Sequence, residues 1–262
     1  MILLFFRFYA ISNILIDMNK TLKVMAALML VIVLTVSCKK PKEPNNNENE
    51  TPATPESVDL GLPSGTLWAT FNVGANAPEE AGYCYAWGET ENKQTYTWSN
   101  YKYCKGAQNK LTKYCFETDY GNDNFTDSIS TLVASDDPAT AKWGEDWCTP
   151  TYAQWKELMN ECELNMTYRN SVWGLELTGP NQNKMFLPAA GFRGEEENVQ
   201  ASGSEGFYWS NNLSIVSVDP ELPHFVVYSY EALYCHFATF QPFVMLDGDR
   251  CLGMPVRPVR AN

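Results

Sequence analysis

Apolar residues alternate with small or polar ones through Leu60, Leu62, Leu67, Ala69 and Phe71, on either side of Pro63-Ser64-Gly65. A period of two interrupted by a turn triplet predicts two short strands or a hairpin within residues 58–75. Residues 81–90 (AGYCYAWGET) read as an aromatic strand ended by Gly88. From Glu91 to about Asp127 the chain is polar and Tyr-rich without a period, which predicts long loops. The period then changes. Trp155, Leu158, Met159 and Cys162 fall at i, i+3, i+4 and i+7, one helical stripe, with Thr151 as cap and Gln154 closing a capping box. A shorter helix is predicted over residues 137–143, with Pro138 in its first turn. Beyond them, residues 184–192, 206–211, 224–237 and 255–259 are β-rich runs separated by Gly, Asn and Glu clusters. No βα alternation runs through the chain. The expected class is α+β: a single loop-rich domain of short antiparallel strands and one or two helices.

The N-terminal segment follows different rules. Met18 reads as the start of a signal, with Lys20 and Lys23 ahead of an unbroken apolar run of 11 residues, 24–34. A bilayer needs about 20 apolar residues, so this run suits a secretory signal and not a spanning helix. Ser37 and Cys38 follow it, in a pattern like the lipobox of bacterial lipoproteins, with Thr35 where leucine is usual. The expectation is cleavage before Cys38 and acylation of its thiol, placing a palmitate-bearing lipoprotein at the outer membrane, on its surface or its periplasmic face. An ordinary signal peptide with an incidental cysteine is the alternative. Residues 1–17 are also apolar, either an upstream in-frame extension or part of an uncleaved anchor. The next stretch, residues 38–57, is rich in Pro, Asn, Glu and Thr, and its composition predicts a flexible tether.

Charge narrows the partners. Without residues 1–37 the chain keeps 16 basic and 30 acidic residues, a net of −14. So acidic a surface repels phosphate backbones, which argues against nucleic acid.

Seven segments in order carry a resemblance: VDLGLPSGTLWATFNVGA, YAWGET, LTKY, DDPATAKWGEDWCTPTYAQWKEL, FLPAAGFRG, GFYWSNN and VRPV. Together they resemble the Fibrobacter succinogenes major paralogous domain (FISUMP), across roughly residues 58–259 of a domain taken as 58–262. Cys148 stands where that family usually has Arg or Lys, and Phe71 where it often has cysteine. The resemblance implies a C-type-lectin-like or formylglycine-generating-enzyme-like fold in an envelope lipoprotein. It supplies no catalytic residues.

The residues themselves offer little catalytic chemistry. The two histidines, His224 and His236, lie beside no nucleophile elbow, and His236 and its neighbour Cys235 point to opposite faces of a strand. HExxH, P-loop, GxGxxG and paired CxxC spacings are missing, so no metal or cofactor is expected. Seven cysteines follow Cys38, of which Cys104 and Cys115 are the most plausible local disulfide. Cys162 reads as a buried core thiol. Cys235 and Cys251 are the late pair that a formylglycine-generating scaffold would require. The oxygen-rich run Asp119, Asn122, Asp123, Asn124 and Asp127 is weighed against calcium and read as a solvated acidic loop. Of eight tryptophans, Trp68, Trp87, Trp147 and Trp209 are expected in the core. Trp98, with Tyr96, Tyr101 and Tyr103, is the candidate aromatic surface for a glycan or envelope-protein ligand. The functional expectation is a non-enzymatic recognition module. An enzyme on a formylglycine-generating-like scaffold, or a structural component of the envelope, are the alternatives.

Overall fold

The computed structural model describes residues 55–217 and 225–260. Cys38, the apolar leader, nearly all of the tether and His224 therefore lie outside the described residues.

The hairpin forms around its turn triplet. Strands β1 (Ser57–Asp59) and β2 (Leu67–Ala69) pair antiparallel with Val58 opposite Trp68. Gly65, at φ 72°, donates its N–H to Leu62 O at 2.9 Å, a conformation that a Cβ would oppose. The last strand of the chain, β9 (Val259–Arg260), pairs with the other side of β2, so the two ends of the domain close on each other. Residues 81–90 do not form the expected strand. Gly82 and Gly88 take left-handed φ of 70° and 82° and turn the chain, leaving one isolated bridge, Tyr85 to Met254. Tyr85, Ala86 and Trp87 are buried all the same.

Both predicted helices are present: α1 (Pro138–Trp143), capped by Asp137, and α2 (Tyr152–Glu161), with the Thr151–Gln154 capping box. Trp155 and Leu158 enter the core. Cys162 lies just past the helix end, and its N–H closes the last turn on Leu158 O.

Two antiparallel meanders follow. The first joins β3 (Glu163–Arg169), β4 (Val172–Thr178) and β5 (Lys184–Pro188); the second joins β6 (Glu205–Ser217), β7 (Phe225–Ala238) and β8 (Gln241–Asp249). β3, β4 and β8 were not expected. Conversely, the run 255–259 contributes only its end to a sheet, because Pro255 and Pro258 have no N–H to pair. The α+β class holds: two helices and nine short strands in three small antiparallel sheets among the described residues.

With so few regular elements, loops fill the core. One cluster gathers Trp87, Tyr96, Tyr101, Tyr114, Trp147 and Trp209; a second gathers Trp68, Trp155, Leu158, Leu177 and Leu187. Two fully buried arginines tie loop carbonyls together. Arg257 bonds Asn72 Oδ1 and the carbonyls of Ala69, Thr70 and Phe186 at 2.8–3.1 Å, and burial lowers its pKa to about 10. Arg250 bonds the carbonyls of Lys113, Tyr114 and Ser229, with its guanidinium near the rings of Trp87 and Tyr101. Loops otherwise carry unpaired carbonyls, and each arginine satisfies several with one rigid fork.

Candidate functional site

The β3–β4 hairpin turns through Asn170 and Ser171, both left-handed at φ 48° and 67°, as a two-residue hairpin turn requires. That turn fixes the register and sets Tyr168 directly opposite Trp173, their rings 4.7 Å apart and tilted by 51°. Tyr168 is 69% exposed. The Trp173 indole N–H donates to Thr239 Oγ1 at 3.2 Å, which pins the ring against the β7–β8 turn. Across from them, Glu79 Oε1 accepts from Arg169 Nε at 2.6 Å and Asn170 Nδ2 at 3.1 Å. Tyr168, Trp173 and Glu79 wall a surface hollow of about 330 Å³. Pro188, Ala189 and Ala190 form its apolar lining, and Ser171, Ser202 and Gly203 add polar atoms. The volume is at the lower end of ligand sites, and the hollow is shallow and open to solvent, with aromatic, aliphatic and polar groups on its walls.

The four aromatics expected to bind a ligand are arranged otherwise. Tyr96, Tyr101 and Tyr103 are buried, and the hydroxyls of Tyr96 and Tyr101 are spent on the carbonyls of Cys84 and Trp87. Burial pushes all three phenols up, Tyr103 further through Asp136. Their faces meet protein: the Tyr101 ring stands edge-on to Trp98 and to Tyr103, at 5.5 and 6.0 Å. Trp98 alone is half-exposed. Loop 91–127 is thus more than a solvated surface. It wraps the domain and inserts its tyrosines where strands are lacking. The hollow beside the β3–β4 hairpin uses Tyr168, Trp173 and Glu79, which sequence reasoning passed over. The cue was available in Asn-Ser flanked by NMTYR and VWGLEL, two alternating runs around a turn.

The remaining candidates have structural places. Asp127 accepts the backbone N–H groups of Tyr114, Cys115 and Ile129 and so staples its loop, and Asn122 bonds Asp123. Among the described residues no group of His, Cys, Asp or Glu side chains is arranged to hold a metal. Cys104 and Cys115 are not joined; their thiols donate to the carbonyls of Trp98 and Glu117. Cys162 is buried, as expected. Cys235 and Cys251 are separate buried thiols. Burial pushes Cys235 well up and Cys251 to about 12, which disfavours the nucleophilic thiolate. His236 is buried, with Nε2 2.8 Å from Glu205 Oε2 and its ring against Phe207, while Cys235 packs in the other core cluster. Trp68, Trp87, Trp147 and Trp209 all lie in the core.

No family model matches this chain, and neither a curated protein nor a solved structure does.

Proposed function

We propose that the chain is a non-enzymatic lipoprotein of the cell envelope, held by acyl groups on Cys38, whose domain recognises a saccharide unit in the hollow between Tyr168, Trp173 and Glu79. The observation that carries the reading is the pairing of an exposed aromatic face with a fixed carboxylate across one small hollow. A sugar ring presents C–H groups to the first and hydroxyl donors to the second. Glu79 Oε1 is taken by Arg169 and Asn170, so Oε2 is the acceptor left for a ligand hydroxyl. The Trp173 ring is immobilised by its bond to Thr239, which lowers the entropy lost on binding. Anchor, tether and likeness to FISUMP lipoproteins support an envelope setting, and an outward-facing recognition domain fits it. A cysteine-based enzyme would require a reactive thiol, whereas burial raises those of Cys235 and Cys251.

A glycan array probed with the full chain in detergent tests the ligand class, with Tyr168→Ala as the control. Selective binding lost in that variant is expected; no retained glycan, or binding indifferent to Tyr168, contradicts the reading. Palmitate incorporation compared with Cys38→Ala tests the anchor.

A further inference from the structure

β3 is the outer strand of its sheet. It pairs with β4 along its whole length, and among the described residues no strand pairs with its other edge. Natural edge strands are protected by proline, a bulge or charged side chains; Glu163–Arg169 (ELNMTYR) has no proline and no bulge, and its charges stand only at its two ends. Its Leu164, Met166 and Tyr168 share the face on which Leu175 and Leu177 of β4 are buried, yet Leu164 is 42% exposed and Met166 only half-covered. The inner face of this sheet runs out past its own edge.

The strand is also complementary to itself. Laid antiparallel on a second copy about a two-fold axis at Met166, it pairs Met166 with Met166 and Leu164 with Tyr168 on one face. On the other face it pairs Asn165 with Thr167 and Glu163 with Arg169. Every apolar residue meets an apolar one, and each end carries an opposite-charge pair. Shifting the register by one residue would set the apolar face of one strand against the polar face of the other. Shifting it by two breaks both charge pairs. Within each copy Glu79 takes Arg169 Nε at 2.6 Å and the guanidinium lies 5.9 Å from the Phe186 ring centre, so Glu163 of the second copy has to share Arg169 with these contacts.

We propose that β3 is a homodimerisation edge, through which two copies of this chain join their three-stranded sheets into one continuous six-stranded sheet about Met166. The interface is isologous, as a two-fold pair requires, and it satisfies the open backbone row of the edge. Leu164 of each copy then lies beside Tyr168 of the other, at the rim of its hollow.

Cross-linking of the full chain tests the pairing and its register together. Directly opposed residues on antiparallel strands have Cα atoms about 4.5–5.5 Å apart, within disulfide reach. Met166→Cys under mild oxidation is expected to give a covalent dimer well above the parent chain, whose other cysteines set the background. Thr167→Cys, off the axis, is expected to give little. Sedimentation supplies a second readout that does not depend on thiols. Glu163→Arg places like charges at both ends and is expected to weaken association on the order of tenfold. Adding Arg169→Glu is expected to restore it. A parent chain that sediments as a monomer at every concentration would overturn the proposal. So would Met166→Cys that cross-links no more than the parent.

Discussion

Trp87 and Trp209 are hydrogen-bonded into each other's chain segments: the Trp87 indole donates to Ser210 O at 2.8 Å, and the Trp209 indole to Tyr85 O at 2.7 Å. Two segments more than 120 residues apart are thereby locked at the centre of the larger core cluster. Replacing Trp87 by Phe takes the indole donor from Ser210 O, replacing Trp209 takes one of two donors from Tyr85 O, which keeps the Met254 N–H, and either change leaves a gap in the core. Each substitution is expected to cost about 2–4 kcal/mol, read as a lower denaturation midpoint at unchanged m-value. Because the two bonds brace the same pair of segments, the double variant should cost less than the sum.

Arg257 makes a similar point with charge. Arg257→Met fills much of the space but leaves three carbonyls and Asn72 Oδ1 without their donor. The expected loss is about 2–4 kcal/mol, because several buried neutral acceptors lose their donor at once while no charge is left stranded. Thermal unfolding would show it as a fall in Tm.

Acid should probe Asp136. Burial opposes ionisation of its carboxyl, but Lys113 at 2.6 Å and the hydroxyls of Tyr103 and Tyr114 outweigh this and hold its pKa below the ordinary 3.8. A folded pKa below the unfolded one gives stability that is complete above the unfolded value and is lost as pH falls through the folded one. Asp136→Asn is expected to cost about 1.5–3 kcal/mol at pH 7. The penalty should shrink in urea titrations run below about pH 4. Asp137 beside it is shifted the other way by burial, so the variant isolates the Asp136 part of the acid limb.

Thiol chemistry gives a further check. Burial raises Cys84 and Cys162 to about 11 and Cys251 to about 12. At neutral pH these thiols, with fully buried Cys235, are expected to resist a water-soluble disulfide reagent in the native protein and to react in guanidinium. The half-exposed Cys104 should label first, ahead of Cys148, whose thiol burial also raises to about 11.

What the sequence made legible was local. The capping box at Thr151 and Gln154, Pro138 in the first turn of its helix and the turn at Gly65 each act within a few residues, so their pattern survives in the fold. Residues 81–90 were misread because aromatic richness reports burial, and two left-handed glycines decide the backbone there. Tyr96, Tyr101 and Tyr103 were misplaced for a related reason. A polar loop without periodicity looks solvated, yet this one supplies core side chains whose hydroxyls find carbonyls distant in space. The hollow could not be read directly, since Glu79 meets Arg169 and Asn170 only through the tertiary fold.

The central claim is that ligand recognition belongs to the Tyr168–Trp173–Glu79 hollow and not to the loop aromatics around Trp98. Calorimetric titration of one array-selected glycan into the parent, Tyr168→Ala and Trp98→Ala chains separates the two. Tyr168 is largely exposed, so its removal should leave folding intact. The account predicts about a tenfold or greater loss of affinity for Tyr168→Ala and parent-like affinity for Trp98→Ala. Parent-like affinity in Tyr168→Ala with loss in Trp98→Ala would contradict it.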